Sequence, residues 1–149
     1  MQQLNLPTYK FRIKSSENKL FIFDILRKKY VNLTPEEWVR QHFVHFLIKE
    51  KKYPISLIAV EKKLTINKLT KRTDILVFNN KGLPNIIVEC KAPSVKITQE
   101  TFDQIARYNL KLEANYLITT NGLEHFYCKM DTKNEQYIFL KNLPAYSDN

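Results

Sequence analysis

The run Asn85-Ile86-Ile87-Val88-Glu89-Cys90-Lys91 constrains this chain more than any other segment. Its β-branched side chains favour a strand, and apolar residues occupy both phases of the alternation, so both faces of that strand need covering. A central strand of a sheet with helices on each face meets that requirement. The same alternation sends Glu89 and Lys91 to one side while Val88 and Cys90 point to the other. A carboxylate and an ammonium placed there are costly to desolvate unless they pair with each other or with a metal.

The neighbouring segments supply the layers. Asn32 to Pro35 read as a helix start, with Thr34 as N-cap, Pro35 at the first helical position and Glu36 and Glu37 in the first turn. This helix is expected to reach about Glu50, with Val39, Phe43, Phe46 and Leu47 as its apolar stripe, and Pro54 stops it. Strands are expected over Ser56 to Thr65, Thr73 to Asn79 and Asn85 to Lys91, the last two joined by a turn at Asn79-Asn80-Lys81-Gly82. A second helix runs from Thr98 to Glu113, with Phe102, Ile105, Ala106 and Leu112 buried. Asn121-Gly122 signals a hairpin between Tyr116 to Thr120 and Leu123 to Met130, and Tyr137 to Leu140 can add an edge strand. The expectation is a single domain over 1–149 of α/β class, a central mixed β-sheet flanked by helices on both faces. Residues 1–31 read as a peripheral N-terminal extension of uncertain pairing, with Phe21 to Phe23 as a short strand.

With 149 residues, 44 % of them hydrophobic, the chain can build a core without disulfides or a structural metal. Cys90 and Cys128 are too few and too far apart for a zinc knuckle and read as buried free thiols, which fits a reducing cytoplasm. No stretch approaches the roughly 18 apolar residues of a membrane span, and no signal peptide is expected. The net charge of +9 is unevenly spread. Residues 1–75 hold 16 Lys and Arg against 7 acids, whereas residues 76–149 hold 8 of each. A positive field over one surface can attract a polyanion through phosphate contacts, although a solubilising lysine-rich surface gives the same count. Lys62, Lys63, Lys68, Lys71 and Arg72 form the densest candidate phosphate-contacting patch.

Asp74 lies on the strand expected to pair with that of Glu89, so a short connection can set the two carboxylates side by side. Held together they suit a hard divalent cation, which lowers the pKa of bound water and polarises a phosphate. Lys91 can orient or deprotonate that water and offset developing negative charge. The plainer alternative is an ion pair between Glu89 and Lys91 at a sheet edge, with Asp74 capping a turn. His42 and His45 lack the flanking acid of a zinc-protease motif and read as helix surface or core edge.

Three segments together resemble a known family: Thr34-Pro35-Glu36-Glu37-Trp38-Val39-Arg40-Gln41, Lys71-Arg72-Thr73-Asp74-Ile75 and Ile87-Val88-Glu89-Cys90-Lys91-Ala92-Pro93. They are similar to the N-terminal nuclease domain of type I restriction enzyme R subunits, within the PD-(D/E)xK, or restriction-endonuclease-like, superfamily. Gln104 with Tyr108 resembles that subgroup's Gln-x-x-x-Tyr element, and Tyr116 to Gly122 its following strand and turn. The resemblance spans about residues 31–125.

It implies a restriction-endonuclease-like fold and Mg2+-dependent cleavage of DNA, with Mn2+ as substitute. Asp74 and Glu89 match the metal-binding acids and Lys91 the catalytic lysine, while Gln104 and Tyr108 match residues that support the site or contact DNA beside it. Glu37 matches a first-helix glutamate near the metal, with Glu36 as its competitor and N-terminal helix capping as the plain alternative. Arg40 and Gln41 fix the helix to the site or reach phosphate. The chain shows no Gly-x-x-x-x-Gly-Lys-Ser/Thr loop, so ATP-driven translocation is not expected of it. The implied partners are DNA, a second copy of the chain, or a separate motor or specificity subunit. The alternative is a nucleic-acid-binding protein, or a non-catalytic subunit of a restriction or repair complex that keeps the fold.

Overall fold

The computed structural model describes residues 1–66, 68–131 and 133–147. Among them the chain runs β1 (Ile13–Ser16), β2 (Lys19–Asp24), β3 (Lys29–Asn32), α1 (Pro35–Lys49), a single 3-10 turn (Ile55–Leu57) and β4 (Ile58–Ile66). It continues through β5 (Leu69–Phe78), β6 (Pro84–Cys90), α2 (Gln99–Leu110), β7 (Tyr116–Thr120), β8 (His125–Asp131) and β9 (Gln136–Leu140). Strands β4 to β9 form one mixed sheet in sequence order. Every neighbouring pair in it is antiparallel except β6 and β7, which run parallel because α2 carries the chain back across the sheet.

The apolar run of β6 is buried on both sides, as its sequence requires. Ile86 and Val88 join Ile75, Val77 and Ile118 against Val39, Phe43 and Leu47 of α1. Ile87 joins Leu76 and Leu117 against Phe102 and Ala106 of α2. Each fully buried side chain of this size contributes roughly 1.5–3 kcal/mol. Both helices begin on a threonine. Thr34 accepts the N–H of Glu37 at 3.0 Å and Thr98 that of Thr101 at 3.2 Å, each satisfying an orphan first-turn donor. No helix among the described residues is long and apolar enough to cross a membrane.

Residues 13–32, left unpaired by the sequence reading, form a separate three-stranded antiparallel sheet in the order β1-β2-β3. Ile22 is its fully buried anchor, and Asp24 accepts the N–H groups of Leu26 and Arg27 in the turn to β3. Together with the N-terminal arm, where Tyr9 and Phe11 lie against His42 and His45, this sheet covers the side of α1 turned away from the main sheet. Glu37, Gln41, His42 and His45 of α1 are buried for that reason, whereas Arg40 is buried toward the main sheet, against Glu61 and Asp74.

Several boundaries differ from expectation: α2 ends at Leu110 rather than Glu113, and β4 starts at Ile58 rather than Ser56, after the 3-10 turn. β5 starts four residues early, at Leu69, because its ladder with β4 runs out to the hairpin tip. β6 ends at Cys90, and Lys91 lies just beyond it. β8 starts at His125, since Asn121 Oδ1 accepts the N–H groups of Leu123 and Glu124 and holds residues 121–124 as the loop. Gly122 sits there at φ 87°, and a Cβ on it would come within 2.8 Å of Leu4 and 3.1 Å of Val39.

The β4–β5 hairpin has one irregularity that shapes the site. Residues four apart on a strand share a face, yet Val60 packs with the α1-side cluster and Leu64 with the α2-side cluster. The alternation slips at Glu61, which adopts a left-handed φ of 55°. Pairing of Val60 with Ile75 and of Lys62 with Thr73 puts Glu61 across from Asp74 at this slip.

Candidate active site

The ladder between β5 and β6 pairs Ile75 with Val88 and goes no further toward the hairpin tip. One step beyond, Asp74 and Glu89 flank the fork between the two strands. Asp74 Oδ2 accepts the Cys90 N–H at 2.7 Å, so its carboxylate takes up a main-chain donor that the fork would otherwise orphan. Cys90 itself is a buried thiol pushed well above its ordinary pKa, first by burial and then by Asp74.

Arg40 of α1 gathers the acids around this fork. Its Nη1 lies 2.6 Å from Glu37 Oε1, and its Nη2 lies 2.7 Å from Glu61 Oε1 and 3.1 Å from Asp74 Oδ1. Glu36 is a further acid at 3.5 Å. Burial opposes the charge on Arg40, but Glu37 and Asp74 outweigh it and raise its pKa above the ordinary value. The left-handed backbone at Glu61, worth about 1–2 kcal/mol of strain, is offset by the charge-assisted bond it permits to Arg40.

Glu37 holds this cation in place. Besides Arg40 it accepts from Arg27 Nη2 at 2.9 Å and from Gln41 Nε2 at 3.0 Å. Arg27 and Gln41 in turn bond Asp24 at 2.6 and 3.1 Å. Both oxygens of Glu37 are therefore committed within α1 and the small sheet. Glu36, half exposed, is the first-turn acid turned toward the fork. Partial burial and then Asp74 raise its pKa, while Arg40 and Lys91 oppose the rise.

Glu89 pairs with Lys71 of β5, whose Nζ lies 2.5 Å from Oε1. The ion pair between Glu89 and Lys91, the plainer alternative read from the sequence, is absent: among the described residues no acid lies within ion-pairing distance of Lys91. Burial pushes the Glu89 carboxyl up to about 6; Lys71 restrains the rise and the neighbouring Asp74 adds to it. Lys71 also sits 4.8 Å from the ring centre of Tyr108, so Tyr108 braces the cation that faces Glu89. The Tyr108 hydroxyl donates to Thr70 O at 3.3 Å. Gln104, one turn earlier on α2, is exposed and makes no hydrogen bond among the described residues.

The basic residues divide. Lys62, Lys63, Lys68 and Arg72 are exposed along the β4–β5 hairpin, with Arg72 3.4 Å from Glu61. Arg40 and Lys71 are instead held against carboxylates at the fork.

A divalent cation can be tested against these donors. Asp74 and Glu89 offer hard oxygens, and Asp74 lies close enough to disfavour the ionisation of Glu89, which a divalent charge relieves, so this pair fits such an ion. Among the described residues no group of three or more His, Cys, Asp or Glu side chains is arranged to hold a metal. Glu61, Arg27 and Asp24 carry no motif that marks them as neighbours of this site. A lone acid beside Lys62 and Lys63 was the only trace of Glu61, and nothing local marks a residue that reaches a site through a left-handed backbone.

The family model described as type I restriction enzyme R protein N terminus (HSDR_N) matches residues 35–144, which takes in α1 and the whole six-stranded sheet. No curated protein matches the chain.

Proposed function

The chain belongs to the type I restriction enzyme R protein N-terminal family, and from that premise we propose that it is a divalent-metal-dependent endonuclease that hydrolyses phosphodiesters of DNA. The observation that carries this reading is the buried Glu89 carboxyl, pushed up to about 6 beside Asp74 in the strand fork. Two carboxylates set together at a partly desolvated strand fork, at the cost of raising one pKa, are a mark of a functional site.

Asp74 and Glu89 would hold the ion, Mg2+ or in its place Mn2+, which when bound lowers the pKa of a water and polarises the phosphate. Lys91, without an ion-pair partner among the described residues, is available to orient that water and to offset charge on the phosphate oxygens. Glu36 is the helix acid open to the fork, in preference to Glu37, which positions Arg40. Tyr108 sets the place of Lys71. Lys62, Lys63, Lys68 and Arg72 would contact backbone phosphates along the hairpin. The family also points to work within a larger complex, with a motor or specificity subunit as partner.

Purified protein should nick supercoiled DNA with Mg2+ or Mn2+, and Asp74→Ala, Glu89→Ala and Lys91→Ala should each abolish nicking while leaving DNA binding in chelator intact. Three variants that cut like the parent would overturn the assignment. A parent that binds without cutting would favour a non-catalytic nucleic-acid-binding module.

A further inference from the structure

The small N-terminal sheet carries a second feature that the site at the strand fork does not use. Its inner face buries Ile22 and Asp24 against the rest of the protein. Its outer face is defined by the ladder: Lys14 stands opposite Phe21, Ser16 opposite Lys19, and Phe23 opposite Tyr30. Arg12 joins that row, since its carbonyl accepts the Phe23 N–H at 2.8 Å. The side chains confirm the grouping. The Arg12 guanidinium lies 4.4 Å from the Phe23 ring centre and 5.9 Å from that of Tyr30, and Lys14 Nζ lies 4.2 Å from Tyr30.

This face thus presents Arg12, Lys14 and Lys19 among Phe21, Phe23 and Tyr30, and none of its positions holds an acid. Among the described residues none of the three cations has a carboxylate within ion-pairing distance, and all three are exposed. By contrast Arg27, at the turn after β2, is tied down by Asp24 and Glu37. Cations left unpaired over aromatic rings are preorganised for a polyanion that also has flat, apolar groups. Alternate residues of a strand are about 6.6 Å apart, a step close to that between successive phosphates of an extended nucleotide chain. Moving a cation from a ring to a phosphate uncovers the ring for a base.

We propose that the outer face of this sheet binds single-stranded DNA, with Arg12, Lys14 and Lys19 on phosphates and Phe23 and Tyr30 beneath bases. This rests on the nuclease reading only for the choice of DNA, and it places a second contact surface on an element outside the strand fork. Its role would be to hold a strand that the fork does not itself grip.

The test is fluorescence anisotropy of labelled 20-nucleotide single-stranded DNA, duplex DNA and RNA, in chelator so that nothing is cut, with the full chain. The combined Arg12→Ala, Lys14→Ala, Lys19→Ala variant should bind the single strand at least about tenfold more weakly near 0.15 M salt. The slope of log affinity against log salt should shrink by about 2, at about 0.7 per lost single-strand phosphate contact. Tyr30→Leu, which keeps every charge, should weaken the single strand more than the duplex, and the charge-keeping Arg12→Lys should retain binding. Circular dichroism of each variant checks that the sheet is intact. Unchanged affinity and slope in the triple variant would overturn the proposal, as would a parent that binds no single strand. Equal losses on duplex with no effect of Tyr30→Leu would overturn the single-strand assignment, and tighter parental binding of RNA would overturn the choice of DNA. Plasmid nicking with Mg2+ by the triple variant reports separately on the nuclease reading, which stands if nicking persists.

Discussion

Replacing Glu89 by Gln changes the charge at the strand fork while nearly preserving its shape, and the effect on stability has a calculable sign. In the folded chain the Glu89 carboxyl is raised from the ordinary 4.5 to about 6, by burial first and Asp74 in addition, against the restraint of Lys71. An acid whose folded pKa exceeds its unfolded value holds its proton more tightly when folded. Its contribution to stability is therefore full below the unfolded pKa and is lost as pH rises from 4.5 through about 6. At about 1.4 kcal/mol per pKa unit, that loss amounts to about 2 kcal/mol. Glu89→Gln cannot titrate, so the stability difference, parent minus variant, should fall by about 2 kcal/mol between about pH 4 and pH 7.5. Taking the difference cancels the histidines, which burial pushes down and which act in the opposite direction. Urea unfolding at a series of pH values, followed through the single Trp38, measures it. A difference that stays flat, or that grows with pH, would refute the picture of a buried, uphill carboxylate. Restoring the parent's deficit at high pH with Mn2+, but not the variant's stability, would further tie the strain to the cation.

Arg40→Met should cost about 3–5 kcal/mol, because the partly buried Asp74 would lose its cation and Glu37 would keep only Arg27 as a cation; a drop below about 1 kcal/mol in urea unfolding would show that the acids find other partners. Gly122→Ala should cost about 1–3 kcal/mol through its left-handed φ and the encroachment on Leu4 and Val39. Removing the first eight residues should recover part of that cost, since Leu4 belongs to the arm, and strictly additive effects of the two changes would refute the shared contact.

What could be read from the sequence was whatever depends on local alternation and capping. The two-sided burial of β6 and the cap at Thr34 follow from local spacing, whereas adjacent strands only allowed Asp74 to approach Glu89 and the family resemblance pointed to that pair. The partner of Glu89 did not follow. Lys91 is the near choice by alternation, but β6 ends at Cys90, and Lys71 reaches Glu89 from the adjacent strand over Tyr108. Arg40 could be read as fixing the helix to the site or reaching phosphate, and its segment could not choose between them, because the acids that claim it, Glu61 and Asp74, come from two strands of the main sheet. Glu36 and Glu37 could not be separated by helical phase; Arg27 and Gln41 separate them by claiming Glu37.

The slipped alternation at Glu61 gives the β4–β5 hairpin an unusual mechanical standing. Its base is seated in one core and its outer half in the other, so it acts as a tie-beam between the two layers, with Asp74 at the point where the beam crosses. Contact made at the lysine-bearing end therefore bears on both layers, and Asp74, bonded to Arg40 on one side and the Cys90 amide on the other, stands where they meet.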